Sequence, residues 1–128
     1  MVETVHVDDQ EFQEIPGGLR AAFLQSADEV QLAVARADSG DGEKWHRHND
    51  DVEEIYYTVS GRGRITWKSD GREHETEVGP GESALLEKGG LEHEIEAIGS
   101  EPWEFVVAIN DPGSKPYSDI FDRYGSPE

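Results

Sequence analysis

The sequence predicts an all-β protein, an antiparallel barrel or sandwich, and three observations carry that prediction. Short runs with period-two alternation of apolar and polar residues recur along most of the chain. Turn residues interrupt these runs every ten or so positions, as in barrels and sandwiches. No helical pattern longer than two turns precedes residue 110. We therefore expect a barrel core over about residues 19–109, followed by a C-terminal tail over 110–128.

Each predicted strand lies between residues that favour turns. In chain order, the strands are Leu19 to Leu24, Val30 to Ala35, Trp45 to His48, Ile55 to Val59, Arg64 to Lys68, Glu73 to Val78, Ala84 to Leu86, His93 to Ile98 and Trp103 to Ile109. The best hairpin signal is Ser60-Gly61-Arg62-Gly63, because it joins two runs rich in aromatic and β-branched residues. In the tail, one helical turn is predicted around residues 118–124.

Length and composition restrict the protein class. The 128 residues suit a single domain, so we assign residues 1–128 to one domain with short extensions at both ends of the barrel. The chain has no cysteine, which excludes disulfides and thiolate ligands and leaves imidazole and carboxylate to hold any metal. No apolar run is long enough to cross a bilayer, so a cytoplasmic protein is expected.

The net charge of −18 is a strong constraint on partners. A polyanion repels phosphate backbones and anionic membranes, so neither nucleic acid nor a membrane is an expected partner. The acidic residues are scattered rather than gathered in a tail. A halophile's surface, on which salt screens self-repulsion, is one interpretation, and an ordinary acidic protein is the other.

Four side chains form a candidate metal site. His46 and His48 are two residues apart, so in a strand both imidazoles point to one face and can converge on one ion. Glu54 opens the next strand, and a carboxylate buried there needs a bound cation or an arginine. His93 shares a face with the apolar Ile95, so it points inward. Alone, His93 is more simply a core histidine that hydrogen-bonds a hydroxyl or carbonyl; with the other three, it is a ligand.

The residues Gly40, His46, His48, Glu54 and Gly61 resemble the first sequence motif of the cupin family, which is glycine, five residues, His-x-His, a short gap, glutamate, six residues and glycine. The spacing from glycine to the first histidine agrees, as does the spacing from glutamate to the last glycine. The gap between the second histidine and the glutamate is five residues, longer than usual for the family. The neighbouring Glu53 is therefore an alternative ligand.

The second cupin motif is also recognisable. Gly81, Gly90 and His93 fit it, whereas Glu87 stands where the motif has proline and Ala97 where it has asparagine. The resemblance implies a barrel of two antiparallel sheets, also called a double-stranded β-helix or jelly roll, with a divalent metal inside and often a homodimer. The ligand types leave the ion open among iron, manganese, nickel, cobalt and zinc.

A cupin likeness does not imply one reaction. Metal-assisted chemistry on a small oxygenated molecule, with a dioxygenase-like oxidoreductase first, is the leading hypothesis. A non-catalytic binder of a small molecule or sugar and a metal-dependent isomerase or lyase are the alternatives. Tyr56, Thr58, Arg64 and Trp67 are candidates for lining the cavity, and plain barrel packing is their other interpretation.

Overall fold

Two antiparallel sheets pack face to face in the computed structural model, which describes residues 1–110. A short 3-10 helix, Val7–Asp9, precedes the strands. The strands, numbered in chain order, are β1 (Gln13–Glu14), β2 (Arg20–Ser26), β3 (Gln31–Ala37), β4 (Gly42–His46), β5 (Glu54–Ser60), β6 (Arg62–Ser69), β7 (Arg72–Val78), β8 (Ser83–Leu86), β9 (His93–Ile98) and β10 (Trp103–Ile109).

The strand order is that of a jelly roll. One sheet has six strands in the order β1-β2-β3-β10-β5-β8, and the other has four in the order β4-β9-β6-β7. From β3 onward the chain passes from one sheet to the other at nearly every connection, which encloses one core between them. The all-β, antiparallel double-stranded β-helix expected from the sequence is confirmed.

Alternation along the six-stranded sheet separates a core face from an outer face. Glu54, Tyr56 and Thr58 of β5 are buried, whereas the three residues between and after them are about half exposed. On β3 the buried positions are mainly alanines, and the larger Leu32 points outward. Because alanine fills little volume, the inner face of this sheet leaves space in the core.

The four-stranded sheet contains a bulge in β4 that changes which side chains face inward. Glu43 pairs with Ile95 and His46 pairs with His93, so three steps along β4 span two along β9. In a regular strand, residues three apart lie on opposite faces. The bulge removes that difference, and Glu43 and His46 are both buried.

The turn before β6 requires glycine. Gly61 has a φ of +74°, and a Cβ atom added there would lie 2.1 Å from the carbonyl oxygen of Pro102. Any other residue would therefore combine left-handed backbone strain with a clash against a neighbouring strand. This close approach fixes the turn between β5 and β6 against β10. The two strands lie in different sheets, so the hairpin predicted across Ser60-Gly61-Arg62-Gly63 is wrong: the chain crosses there from one sheet to the other, and β6 forms its hairpin with β7 instead.

The predicted strands differ from the observed ones mainly at their ends. The predicted Trp45 to His48 strand is observed as β4, Gly42–His46, so His48 lies two residues beyond its end. The two-residue β1 is not among the predicted strands. The helical turn predicted around residues 118–124 lies outside the described residues. Within residues 1–110, no helix combines the length and apolar character needed to span a membrane.

Candidate metal centre

Three imidazoles meet between the two sheets. His46 ends β4, His48 follows two residues later, and His93 begins β9 directly opposite His46. Each ring offers one nitrogen atom, and these three nitrogens all lie within 4.8 Å of one another. His46 and His93 are 3% and 1% exposed, and their ring centroids are 4.2 Å apart. The chain thus brings three imidazole nitrogens close together in the interior.

A carboxylate from the opposite sheet completes the cluster. Glu54, the first residue of β5, is buried, and its Oε1 lies 2.8 Å from Nε2 of His48 and 3.7 Å from Nε2 of His93. The structure therefore brings together all four side chains that the sequence analysis selected, and it places Glu54 rather than Glu53 against the histidines.

Backbone carbonyls orient two of the three rings. Nδ1 of His46 lies 2.6 Å from the carbonyl oxygen of Lys44, and Nδ1 of His93 lies 2.8 Å from that of Leu91. A carbonyl oxygen only accepts hydrogen bonds, so Nδ1 carries the proton and Nε2 presents its lone pair to the interior. Nε2 of His93 is buried without a hydrogen-bond partner among residues 1–110. This arrangement fits a metal ligand with its supporting carbonyl.

The electrostatics of the cluster favour the protonation states that a cation needs. Burial lowers the pKa of His46 to about 4 because it outweighs the opposing charge of Glu43, and His93 adds a smaller lowering. Burial raises the pKa of Glu54, but the charge and hydrogen bond of His48 and the charges of the other two rings outweigh it and lower that pKa to about 2. A neutral imidazole beside an ionised carboxylate suits a divalent metal.

A second buried carboxyl group, which strand alternation does not predict, adjoins the cluster. Oε1 of Glu43 lies 3.4 Å from Nε2 of His46, and the residue is 6% exposed. Strict alternation from His46 places Glu43 on the outer face, so only the β4 bulge brings it inward. The signal that could have revealed the bulge is Gly42, because an isolated glycine in a strand often marks one.

A small cavity of about 50 Å³ opens beside the cluster. Its polar wall consists of Glu43, His48 and Glu54. Its remaining wall is apolar and comes from both sheets and the segment before β2: Ile15, Leu19, Ala21, Phe23, Ala33, Ala35, Tyr56, Ile95, Phe105, Val107 and Ile109. The volume suffices for a few water molecules or one compact organic group.

The four candidates for lining the cavity lie in different places. Tyr56 lines the small cavity, and Trp67 lines a larger one of about 350 Å³ that extends from β6 to β8. Thr58 is fully buried, and its Oγ1 accepts a 3.0 Å hydrogen bond from Nε1 of Trp103. Arg64 is on the outer face of β6, 3.4 Å from Oε2 of Glu75, because strand parity directs it away from the core. The structure therefore does not bring Thr58 and Arg64 to the small cavity.

The family model of the cupin domain matches residues 33–109, more than half of the chain. This chain belongs to the cupin family. The match spans β4 and β9, which carry His46 and His93, and the strands between them, so the cupin motifs and the observed jelly roll agree. No curated protein sequence matches the chain significantly.

Solved structures similar to this cupin include several oxalate decarboxylases. A tryptophan-to-phenylalanine variant from B. subtilis has a TM-score of 0.74 and 21% identity, covering 90% of this chain and 31% of the other. The Bacillus subtilis enzyme at pH 4.6 has a TM-score of 0.71 and 24% identity, covering 83% and 28%. The formate complex from Lactobacillus farciminis has a TM-score of 0.73 and 18% identity, covering 90% and 35%.

These similarities concern the fold. The chain spans about a third of the length of each of these structures, and all three identities are below 25%. These solved structures therefore support the jelly-roll fold of this chain and nothing further.

Proposed function

We propose that this cupin binds one divalent metal ion through His46, His48, Glu54 and His93 and acts on a small oxygenated organic molecule held in the adjoining cavity. The observation that carries the proposal is the position of the donor cluster. It is buried, yet it borders a cavity rather than being closed on all sides. A structural metal site is closed, whereas a site that does chemistry keeps a position open.

A divalent ion bound here would supply polarisation of a coordinated oxygen atom and, if redox-active, electron transfer. The chain's own groups prepare the site for it. The carbonyl oxygens of Lys44 and Leu91 hold the rings of His46 and His93 with Nε2 inward. Glu54 supplies one negative charge, which offsets part of the charge of the ion. The apolar wall excludes bulk water from the bound molecule.

Nitrogen and oxygen donors accept iron, manganese, nickel, cobalt or zinc, so the donor set does not select one ion. A dioxygenase-like oxidoreductase is the reaction class that we propose first. A metal-dependent lyase is the second candidate, because the similar structures named above are decarboxylases. A non-catalytic binder remains the alternative to both.

Metal content tests the proposal. Protein purified without a histidine tag is expected to contain about one equivalent of a divalent metal by elemental analysis. The His93→Ala variant is expected to contain less than roughly a tenth of that amount, because a buried ligand is lost. His6→Ala is the matched control, since His6 is exposed and distant from the cluster in sequence. Equal metal content in wild type and His93→Ala would contradict the proposal.

Oxygen consumption separates the two reaction classes. The metal-loaded protein is to be screened against small diols and catechols with an oxygen electrode, with His93→Ala as the blank. Turnover that consumes oxygen supports the oxidoreductase, and turnover of a substrate without oxygen supports the lyase. Metal binding without any turnover supports the non-catalytic binder.

We also propose a homodimer formed through the outer face of the six-stranded sheet. Leu32, Ala108, Ile55 and Leu85 lie side by side on β3, β10, β5 and β8, and Tyr57 extends the patch. Leu32, Ile55, Tyr57 and Leu85 are between 36% and 57% exposed. On a chain of net charge −18, an uncharged apolar patch is where a second copy can approach with least repulsion.

Sedimentation tests the dimer. Wild type is expected to sediment as a dimer, and Tyr57→Glu is expected to sediment as a monomer because it places a charge within the apolar patch. Gln13→Glu adds the same charge on the exposed β1 and is expected to remain a dimer. A monomeric wild type would contradict the proposal.

A further inference from the structure

The larger of the two cavities lies between two sheet edges. It extends from β6 and β7, which end the four-stranded sheet, to β8, which ends the six-stranded sheet, and its volume is about 350 Å³. The strands that line the small cavity are different ones, and they include β2 and β3. None of the proposed metal ligands is among the described residues that line the larger cavity. The larger cavity is therefore separate from the metal site.

The apolar core is open to solvent at the larger cavity. Among the described residues, four partly buried hydrophobic side chains pack against the core, and three of them, Trp67, Ala84 and Leu91, line this cavity. On β7, His74 pairs with Trp67 and so lies on the core side of the sheet, yet His74 is exposed. The part of the chain that the structure describes thus leaves the inner face of this sheet uncovered near its β7 edge.

Trp67 is the one aromatic side chain in the described wall of this cavity, and its ring is held in place. The imidazole of His74 stacks against it, with the ring centroids 5.6 Å apart and the planes inclined at 22°. Nε2 of His74 donates a 3.3 Å hydrogen bond to the carbonyl oxygen of Ser69, which anchors the imidazole at the end of β6. Because the indole is already oriented, it loses little freedom when another ring stacks on it.

The size and chemistry of the cavity define the class of molecule that fits. Small-molecule sites commonly measure about 300–1,000 Å³ and are mostly apolar with a few polar groups. A cavity of about 150 Å³ holds one benzene ring, so this one accommodates one or two fused rings. Glu87 and Lys88 carry opposite charges on its wall, and the hydroxyl groups of Ser69 and Thr76 can hydrogen-bond a substituent. A neutral aromatic molecule with one polar substituent suits these features.

We propose that the larger cavity is a further ligand site of this cupin, which binds a neutral aromatic molecule of one or two rings by stacking it on Trp67. The binding does not require a metal, because the proposed metal ligands lie outside the described wall of the cavity. The small cavity, at about 50 Å³, is too small for such a ring. The two cavities therefore take different classes of molecule.

Nuclear magnetic resonance of the full-length protein tests this site, with 2-naphthol as the probe. The three tryptophans give three indole N–H signals, which single substitutions assign. The Trp67 signal is expected to shift during the titration. Trp103 is fully buried and donates to Thr58, and Trp45 lies against Lys68 outside the cavity, so their signals are expected to stay in place. The same affinity is expected before and after treatment with a chelator.

A saturated probe and three variants test the stacking. Decahydro-2-naphthol has the same carbon skeleton and hydroxyl group without an aromatic face, and wild type is expected to bind it about fivefold more weakly than 2-naphthol. Trp67→Leu is expected to bind 2-naphthol about tenfold more weakly than wild type and to lose the preference for the aromatic probe. Trp45→Leu is the matched control and is expected to keep wild-type affinity. Ala84→Phe is expected to abolish binding, because it places a ring in the cavity.

The inference is overturned if the Trp67 signal does not move, if all three indole signals shift alike, or if wild type binds both probes equally. Unchanged affinity in Trp67→Leu or Ala84→Phe would also overturn it. The Trp103 signal reports whether each variant is folded; if one variant is not, the other variant and the two probes on wild type decide. Absence of metal from the protein would contradict the proposed function and leave this site standing, whereas failure to bind 2-naphthol would leave the metal site standing.

Discussion

The two sheets of this cupin make different contributions to the same site. The four-stranded sheet provides the polar elements, with His46 and Glu43 on β4 and His93 on β9. The six-stranded sheet provides a single carboxylate, Glu54, and a wall of small and apolar side chains that includes Ala33. One sheet therefore concentrates nitrogen donors, and the other provides a counter-charge and the empty space beside it.

The outer faces differ as well. On the four-stranded sheet, acidic residues on β7 and β9 flank a basic strand, and Arg64 of β6 lies among Glu75, Glu77 and Glu96. On the six-stranded sheet, the outer face is largely apolar around Ile55. This difference is the basis of the proposed dimer through the six-stranded sheet. Substitutions on each sheet test whether the two sheets contribute to the site in these different ways.

The largest expected effect comes from removing the contribution of the six-stranded sheet to the donor cluster. Glu54→Gln is expected to weaken metal binding by on the order of 100-fold, because it removes a charged oxygen donor from a buried site. Competition with a chromogenic chelator measures the affinity. Glu53→Gln is the matched control and is expected to keep wild-type affinity; the opposite result would assign the ligand to Glu53.

Acid is expected to destabilise the metal-free protein because it protonates His46, a buried residue of the four-stranded sheet. The pKa of His46 is about 4 in the folded protein and 6.5 in an ordinary environment, so the unfolded chain binds the proton more readily. The stabilising contribution is complete above pH 6.5 and is lost as pH falls toward 4, by on the order of 3 kcal/mol. Urea unfolding at a series of pH values measures it.

The control for that titration is His46→Gln, which removes the ionisable ring. Its stability is expected to vary less between pH 6.5 and 4 than that of wild type. The pKa of Glu54 is about 2 in the folded protein and 4.5 in an ordinary environment. Its contribution to stability is therefore lost at lower pH, as the pH falls from 4.5 toward 2. Parallel pH profiles for wild type and His46→Gln would show that burial of His46 is not the cause.

The alanine wall gives a prediction specific to the six-stranded sheet. Ala33→Leu places three more carbon atoms in the cavity and is expected to reduce the free energy of unfolding by about 1–3 kcal/mol. Metal content is expected to stay at the wild-type level, because Ala33 is not a ligand. Binding of glycolamide, a small neutral molecule with two oxygen donors, to the cobalt-loaded protein is expected to be lost, because the leucine side chain fills the cavity. Loss of metal together with ligand binding would show that the two sheets do not act separately.

The smallest expected effect concerns the acidic surface. If the net charge of −18 is adapted to high salt, molar KCl should raise the free energy of unfolding by about 1 kcal/mol over dilute buffer through screening. Urea midpoints in the two solutions measure the change. Equal midpoints would favour the ordinary acidic protein over the halophile.

The alternation rule explains why much of the site was accessible from the sequence. His46 and His48 share a face because they are two residues apart, and Glu54 and His93 each begin a strand whose alternate positions are apolar. These local patterns suffice to predict inward side chains. The cupin resemblance then implied that these four side chains surround one metal inside a barrel, which the local patterns alone do not contain.

What the sequence did not reveal depends on departures from regular strands and on packing. Glu43 faces inward only because β4 bulges, and an alternation argument assigns it to the outer face. Arg64 was a candidate for the cavity, yet cross-strand neighbours on β7 and β9 place it among glutamates. The cavity is lined by alanines on β2 and β3 together with His48, a relation between distant segments that no local pattern contains.

The central claim is that donors from both sheets surround one cation. X-ray absorption at the metal edge of the cobalt-loaded protein tests it most directly, because imidazole ligands give a recognisable multiple-scattering pattern. We expect three imidazole nitrogens near 2.0–2.1 Å with the remaining positions filled by oxygen, and two imidazoles in His93→Ala. A wild-type spectrum with fewer than three imidazoles, or one unchanged in His93→Ala, would contradict the account.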